Sequence, residues 1–364
     1  MEKRVINICD VCEEIFAGGD APKDRFSETK TDDFSVPIYS NGEANSGLYG
    51  YTNFSRVNVP SITVSARGTI GYTTIRHEPF VPIVRLITLV PKTDVIDINY
   101  LYYATQNYKF VNNGTSIPQL TVPMLKRYSF PLPSMEQQKK IADEFDKVTV
   151  LIDKRKRQLK ELDELVKSRF IEMFGDPLSN QKGWQTMSIV EAAPIKSQRG
   201  DLADEVWLLN LDAVEAQTGT VLFKHRVQSG EINASTVYFT AESVLYSKLR
   251  PYLNKVVMPD EDGVATSEMI PMYPLADRLN RAYLCYWLRS DAFVRHISEK
   301  VAGAKMPRVS MDYFRSLAIE MPPLELQEQF AAFVEQTDKS KFEIKQSLEK
   351  LELLKKSLMQ KYFG

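Results

Sequence analysis

Histidine and cysteine are both scarce, at three of each in 364 residues. Three histidines, His77, His225 and His296, leave little from which to build acid-base chemistry near neutral pH. Nor is there a GxxxxGK[ST] phosphate loop, a GxGxxG, an HExxH, a GxSxG elbow or an Asn/Asp-Pro-Pro-Tyr/Phe segment of the kind that holds a target base in amino-methyltransferases. The reading is a non-catalytic chain. Three cysteines make no disulfide framework and fit a reducing compartment. Cys9 and Cys12 form a CxxC, but further ligands would have to come from Cys285 or the scattered histidines, so the pair reads as packing and no metal is expected. Long apolar runs are absent too: nothing approaches the roughly 18 to 20 residues of a membrane span. Met1-Glu2-Lys3-Arg4 leads into no signal-peptide core, so a cytoplasmic location is expected. A net charge of −1 is too small for a protein that coats nucleic acid by bulk charge, though it leaves room for a local basic surface.

The chain does hold an internal repeat. Gly114 to Gly175 lies on Gly303 to Gly364 at a constant shift of 189 (303 − 114) without a gap. Gly114 meets Gly303, Pro118 meets Pro307, Pro133 meets Pro322, Glu136 meets Glu325 and Gln138 meets Gln327. Leu159, Leu162 and Leu165 meet Leu348, Leu351 and Leu354, and Phe174-Gly175 meets Phe363-Gly364. Such a register over roughly sixty residues marks a tandem duplication. Two equivalent units imply two equivalent jobs.

Each half opens on an S/T/D-x-x-E capping signature, Asp10 to Glu13 and Ser188 to Glu191, which predicts a short helix ended by Gly18-Gly19 or by Gln198-Arg199-Gly200. β-branched and aromatic runs then predict strands: Val36 to Tyr39, Ser61 to Ser65 and Val84 to Val90, answered by Val206 to Leu209, Val244 to Tyr246 and Glu268 to Tyr273. A helix follows in each half, around Asn99 to Tyr103 and Arg281 to Trp287, with Tyr102, Tyr103, Tyr286 and Trp287 as core. A Gly-x-x-x-Pro loop closes each globule. After Pro133 the period becomes that of a coiled-coil seam: Ile141, Phe145, Val148, Ile152, Leu159, Leu162, Val166 and Met173, with Arg155 and Arg169 completing the series. The second seam is Phe330, Val334, Thr337, Lys341, Ile344, Leu348, Leu351, Lys355, Leu358 and Tyr362. Each helix is roughly 60 Å long at about 1.5 Å per residue. Each seam is flawed where the other is sound, so the two helices are expected to pair with each other, antiparallel, with a globule at each end.

The expected fold is therefore α+β. Two globules, 1–133 and 176–322, are joined by long helices at 134–175 and 323–364, in a pseudo-twofold cyclic arrangement with residue 364 near the first globule. Gly175-Asp176-Pro177 is the hinge.

Candidate binding residues gather at strand-to-loop junctions. Ser65-Ala66-Arg67-Gly68-Thr69-Ile70-Gly71 sets an arginine and two hydroxyls between glycines, which let a ligand come close. The matching loop of the second half carries Ser247, Lys248, Arg250, Tyr252, Asn254 and Lys255. Arginine and lysine suit guanine, asparagine suits adenine, and hydroxyls suit phosphate. Either loop alone is an ordinary polar turn; recurrence at equivalent positions points to recognition. Tyr39-Ser40-Asn41-Gly42 reads as a β-turn, with Tyr39 and Asn41 as groove contacts in the functional alternative. Lys154-Arg155-Lys156-Arg157 reads as a solvated helix face.

With the Gly-x-x-x-Pro loops come Pro-Leu-Pro-Ser-Met-Glu-Gln-Gln at 131–138, Pro-Pro-Leu-Glu-Leu-Gln-Glu-Gln at 322–329, heptad helices ending in Phe-Gly, and Gly183-Trp184 opening the second globule. In that order, along essentially the whole chain, they resemble the specificity subunits of type I restriction-modification enzymes. The resemblance implies two target recognition domains, each reading one half of a split site in double-stranded DNA, and helices that set the spacing and dock modification subunits, two of them expected. It places no cofactor on this chain: S-adenosylmethionine belongs to the methyltransferase partners, and ATP and Mg to restriction subunits. The first globule departs from the pattern in lacking a tryptophan that corresponds to Trp184. The competing reading is a scaffold, with two ligand-binding globules on a coiled-coil spacer and no role on DNA.

Overall fold

The computed structural model describes residues 4–110, 118–196, 203–232, 235–301 and 306–364. Most of both Gly-x-x-x-Pro loops, and Gln198-Arg199-Gly200, lie outside them. The chain forms two compact units, Met1–Arg155 with Ser347–Gly364, and Lys156–Gln346. Each long helix, Met135–Phe174 or Leu324–Phe363, thus contributes one half to each unit. No described helix is long and apolar enough to cross a membrane.

In the first unit the strand Ser61–Val64 lies between Thr73–Arg76 and Ile87–Pro91, and Cys12–Ala17 pairs on the far side of Ile87–Pro91, all antiparallel. Val36–Tyr39 pairs antiparallel with Leu48–Thr52 and parallel with Val81–Pro82 in a second sheet. The second unit keeps the same centre: Val244–Ser247 lies between Val256–Val257 and Met269–Met272. Its other sheet runs His225–Gln228, Glu205–Leu209, Gly263–Thr266, Thr236–Phe239. The centre of each unit is a strand buried at all four positions.

Each unit roots its long helix in the same way. A two-stranded pair, Val5–Asn7 with Ser129–Pro131 or Gln185–Ser188 with Ala318–Met321, precedes the helix. One buried glutamine then clamps the helix to its globule. The Gln138 side-chain oxygen accepts from the Asp97 amide at 2.8 Å, while its Nε2 donates to the Pro133 and Val95 carbonyls at 3.0 and 3.2 Å. Gln327 repeats this on the Asn280 amide at 2.8 Å and on the Pro322 and Arg278 carbonyls at 2.8 and 3.1 Å. Asp97 and Asn280 are themselves the N-caps of the helices Ile98–Gln106 and Arg281–Arg289. The tyrosines of those helices seal the joint: Tyr100 donates to the Pro131 carbonyl at 2.6 Å, and Tyr283 to the Glu320 carbonyl at 2.9 Å. Pro133 and Gln138, with Pro322 and Gln327 at the 189 shift, are this joint.

Every expected seam position is buried or half-buried. In the second unit Asp163 pairs with Lys341 at 2.7 Å, while Phe170 and Phe174, further along the first helix, meet Phe330, further back on the second, so the two run antiparallel. In the first unit Phe145 stacks on Tyr103 at 4.6 Å and on Phe363 at 6.0 Å. The polar interruptions of the seam are answered by neighbours. Lys341 has its carboxylate, and the Lys355 ammonium lies 5.9 Å from the Tyr103 ring. Both helix ends are capped by a side chain: Trp184 Nε1 donates to the Phe174 carbonyl at 2.9 Å, and Asn107 Nδ2 donates to the Phe363 carbonyl at 3.2 Å. The chain terminus is thereby held in the unit that holds the first globule.

Three local expectations are corrected. The first short helix is Ile8–Val11, capped by Asn7, whose side chain accepts from the Cys9 amide at 2.9 Å. Asp10 lies inside it, Cys12–Ala17 is a strand, and Gly18-Gly19 end that strand. Gly18 passes so close to the Pro82 carbonyl that a Cβ would stand 2.5 Å from it. Pairing with Ile87–Pro91 overrides the local capping pattern. In the second half Ser188 does precede the helix Ile189–Ala192, yet its side chain makes no cap bond. The run from Val84 to Val90 is a strand only from Ile87, because Val84 and Arg85 stand at φ 52° and 63°. Cys12 is a packing residue whose thiol burial pushes up to about 12. No group of three or more His, Cys, Asp or Glu suited to a metal occurs among the described residues.

Candidate nucleic-acid interface

The loops that leave the two central strands share one backbone bond. Leu120 N–H donates to the Ala66 carbonyl, and Val309 N–H to the Lys248 carbonyl, each at 2.9 Å. The segment after each Gly-x-x-x-Pro loop is therefore tied to the candidate loop of its own unit. Residues 120 and 309 are also partners at the shift of 189 (309 − 120).

In the first unit the loop between Val64 and Thr73 closes through Ser65 N–H to the Tyr72 carbonyl at 2.8 Å and Gly71 N–H to the Ser65 carbonyl at 2.9 Å. Gly68 and Gly71 hold φ 67° and 85°, with nothing within 4 Å of where a Cβ would stand, so the tip is open. Thr69 is exposed there. Arg67 donates from Nε and Nη2 to the Gln119 side-chain oxygen, at 3.2 and 3.0 Å. Arg85, exposed, reaches the same oxygen from Nη1 at 3.4 Å. Asn41 stitches the loops together: its Nδ2 donates to the Val84 carbonyl at 2.6 Å and its Oδ1 accepts from the Ala66 amide at 2.7 Å.

Behind this surface lie the buried Tyr39 and Arg76, with Glu78 exposed beside them. The Tyr39 hydroxyl donates to Glu78 at 2.5 Å, and the Arg76 guanidinium sits 3.6 Å from the Tyr39 ring centre. Arg76 also donates to the Ser46 carbonyl at 2.6 Å, fixing a turn in which Asn45, Ser46 and Gly47 are all left-handed, at φ 47°, 52° and 75°. Burial first, and then the Glu78 carboxylate, push the Tyr39 hydroxyl up to about 12, so it stays a donor.

In the second unit Arg250 is exposed at φ 50°, its N–H bonded to the Pro307 carbonyl at 2.8 Å, and Tyr252 stands 47% exposed beside it. Lys248 is half-buried. Arg308 pairs with both oxygens of Glu268, the shortest contact being 2.9 Å.

Four nominated side chains are frame rather than surface. Tyr39, Ser65, Ser247 and Asn254 are 9%, 1%, 2% and 3% exposed. Ser65 Oγ accepts from the Gly42 amide at 3.0 Å, Ser247 Oγ donates to the Leu249 carbonyl at 3.0 Å, and Asn254 Nδ2 donates to the Arg289 carbonyl at 3.0 Å. A tight loop leaves backbone groups that need partners, and short polar side chains supply them. Asn41 and Lys255 are half-buried on the same duty; Lys255 Nζ donates to the Leu211 carbonyl at 2.6 Å, and burial lowers its pKa. That leaves Thr69, Arg250 and Tyr252 exposed, with Arg67 and Lys248 half-buried beside them. Arg85, Gln119, Arg308 and Glu268 join them without having been nominated. Gln119 and Arg308 directly follow Pro118 and Pro307 and share the 189 shift, which was the available signal.

Comparison with known proteins gives the class. The family model of the type I restriction modification DNA specificity domain matches residues 2–164 and again 181–355. Two putative type I specificity subunits of Mycoplasma pneumoniae are 38% and 36% identical over 141 and 145 residues, or 39% and 40% of this chain. Those matches span 42% and 39% of the relatives' own length. The EcoDI specificity subunit of Escherichia coli is 22% identical over 322 residues, 76% of this chain and 71% of that protein. The crystal structure of a type I restriction-modification system S subunit from M. genitalium shares the fold, with TM-score 0.61 at 15% identity over 99% of this chain and 96% of that one. The chain belongs to the family of type I restriction-modification DNA specificity domains and carries the domain twice.

Proposed function

We propose that this chain is the sequence reader of a type I restriction-modification complex, each unit reading one half of a bipartite site in double-stranded DNA. The observation that carries the reading is the repeated frame with unlike exposed residues: one backbone bond, Leu120 to Ala66 or Val309 to Lys248, presents different side chains in the two units. A shared frame keeps two readers equivalent in geometry, and unlike residues let them prefer different bases. Family membership sets aside a scaffold with no role on DNA. The chain itself is non-catalytic on this reading and acts in the cytoplasm. Methyltransferase subunits, two of them, bring S-adenosylmethionine, and restriction subunits bring ATP and Mg. The long helices dock the methyltransferases and set the spacer: forty residues each give roughly 60 Å, ample for half-sites about one DNA turn, some 34 Å, apart.

The test is methylation profiling of DNA from cells that express the full chain with the adenine methyltransferase subunit of its own system. The expected result is one motif made of two specified blocks around an unspecified gap. Inserting about four residues beside Gly175 is expected to lengthen the gap and leave both blocks unchanged. Modification of a single undivided motif, or none above background, would overturn the reading.

A further inference from the structure

Some exposed arginines of this chain meet a carboxylate, as Arg56 does on Glu14, Arg226 on Glu261 and Arg308 on Glu268, at 2.9, 2.6 and 2.9 Å. Arg67 and Arg85 do not. Among the described residues both converge on one neutral acceptor, the Gln119 side-chain oxygen. Two guanidiniums drawn to one amide oxygen repel each other, and an amide returns less than the charge-assisted bond a carboxylate would give. The arrangement leaves an unneutralised positive site in which donors of both arginines point to the place where a single acceptor sits.

The backbone is shaped to present it. Val84 and Arg85 both lie in the left-handed region, at φ 52° and 63°. A β-branched residue such as valine is a rare and strained occupant there. The Val84 carbonyl is gripped by Asn41 Nδ2 at 2.6 Å, and the same asparagine grips the Ala66 amide next to Arg67 at 2.7 Å. One side chain thus fixes the roots of both arginines. Backbone strain persists where its surroundings over-determine it, and it gathers at binding sites. The neighbouring tip, with Gly68 and Gly71 open on the Cβ side, leaves room for a ligand.

We infer that Arg67, Arg85 and Gln119 form an acceptor-binding site in which Gln119 holds the two guanidiniums together until a nucleic-acid acceptor replaces its oxygen. The inference rests on the DNA-reading proposal and deepens it by assigning Arg85 and Gln119, with Arg67, to the first half-site. The ligand chemistry is a paired acceptor, either O6 and N7 of guanine or the oxygens of a phosphate. Gln119 is a positioning residue. Asn41, which touches neither guanidinium in this arrangement, sets the loops.

The decisive variants are Arg85→Ala and Gln119→Glu, made in the full chain and profiled in the complex with its methyltransferase. Gln119→Glu is nearly isosteric and places a carboxylate where the arginines converge, so it should fold and block the site with a competing ion pair. Each variant is expected to lower modification by roughly five- to 150-fold, the span of one specific base contact. If the acceptor is guanine, the first block relaxes at one position and the second block stays as it was. If it is phosphate, the motif is kept and modification falls at every site, with a salt slope shallower by about one in Arg85→Ala. Either pattern supports the site. With the wild-type bipartite motif intact, unchanged modification by both variants, or relaxation confined to the second block, would overturn it. A wild type without a bipartite motif would instead remove the reading beneath it.

Discussion

At the loop after the central strand, the first unit gathers two arginines on one amide, whereas the second pairs one arginine with a glutamate. Below them the two loops share one backbone bond, 2.9 Å from residue 120 or 309. At the shift of 189 (308 − 119), Gln119 of the first unit answers Arg308 of the second, so acceptor and donor have changed places across the repeat. Where the two units agree at the joint, the residue is buried and holds the frame: Gln138 and Gln327 are 1% and 0% exposed. Where they differ, it stands at the surface of a loop. The duplication thus separates the two tasks, folding being kept in the interior and recognition varied on the rim.

The comparison can be attacked first at its conserved part, where the largest effect is expected. Gln138→Leu leaves the Asp97 amide and the Val95 and Pro133 carbonyls without their bond, and an unsatisfied buried group costs about 1–3 kcal/mol. A loss of about 3 kcal/mol or more is expected in the first unit, and the same from Gln327→Leu in the second. Amide exchange reads the units separately. Gln138→Leu should speed exchange in Ile98–Gln106 and spare Arg281–Arg289, and Gln327→Leu should do the reverse. Equal speeding of both helices by either variant would show that the joints are not the independent, equivalent clamps described above.

What was legible in the sequence follows the same division. The seam could be read because a heptad stripe reports burial directly, and even Lys341 and Lys355 were visible as interruptions. Their partners, Asp163 and Tyr103, were not, since each sits on another element. The first short helix was misplaced because capping rules see four residues, while the strand Cys12–Ala17 is decided by Ile87–Pro91, some seventy residues away. Ser65 and Ser247 carry hydrogen-bonding groups that the loops use internally, and Asn254 gives its amide to the end of the helix Arg281–Arg289. Arg85 was hidden inside a run that reads as β-strand, and only left-handed backbone at Val84 and Arg85 turns it toward Arg67 and Gln119.

An effect of intermediate size is expected on the varied part. Arg250 is the exposed left-handed arginine of the second unit, as Arg85 is of the first. Arg250→Gly removes the guanidinium and suits φ 50°, whereas Arg250→Ala removes it and keeps the strain. If Arg250 reads the second half-site, both variants lose about 1–3 kcal/mol of discrimination there, equally. Their stabilities should differ by about 1 kcal/mol in favour of glycine. Denaturation and methylation profiling together separate the two effects. Recognition that followed stability, with glycine retaining the motif and alanine losing it, would mean that Arg250 shapes the loop without reading.

The smallest effect tests whether the charge difference between the units is itself functional. Arg308 is partly exposed and its pair with Glu268 is accessible to water, with 48% and 22% of the two side chains exposed. A pair so open to solvent contributes little to folding, so Glu268→Gln should barely move the unfolding midpoint. It would nonetheless leave Arg308 on a neutral acceptor, the condition of Arg67 and Arg85 in the first unit. A newly freed cation near DNA releases about one more counterion, so the plot of log affinity against log salt should steepen by roughly one. Titration of the methyltransferase complex on a duplex carrying its own motif, at several salt concentrations, measures this. An unchanged slope would place Arg308 away from the DNA and leave Arg250 with Lys248 as the cations that distinguish the second reader.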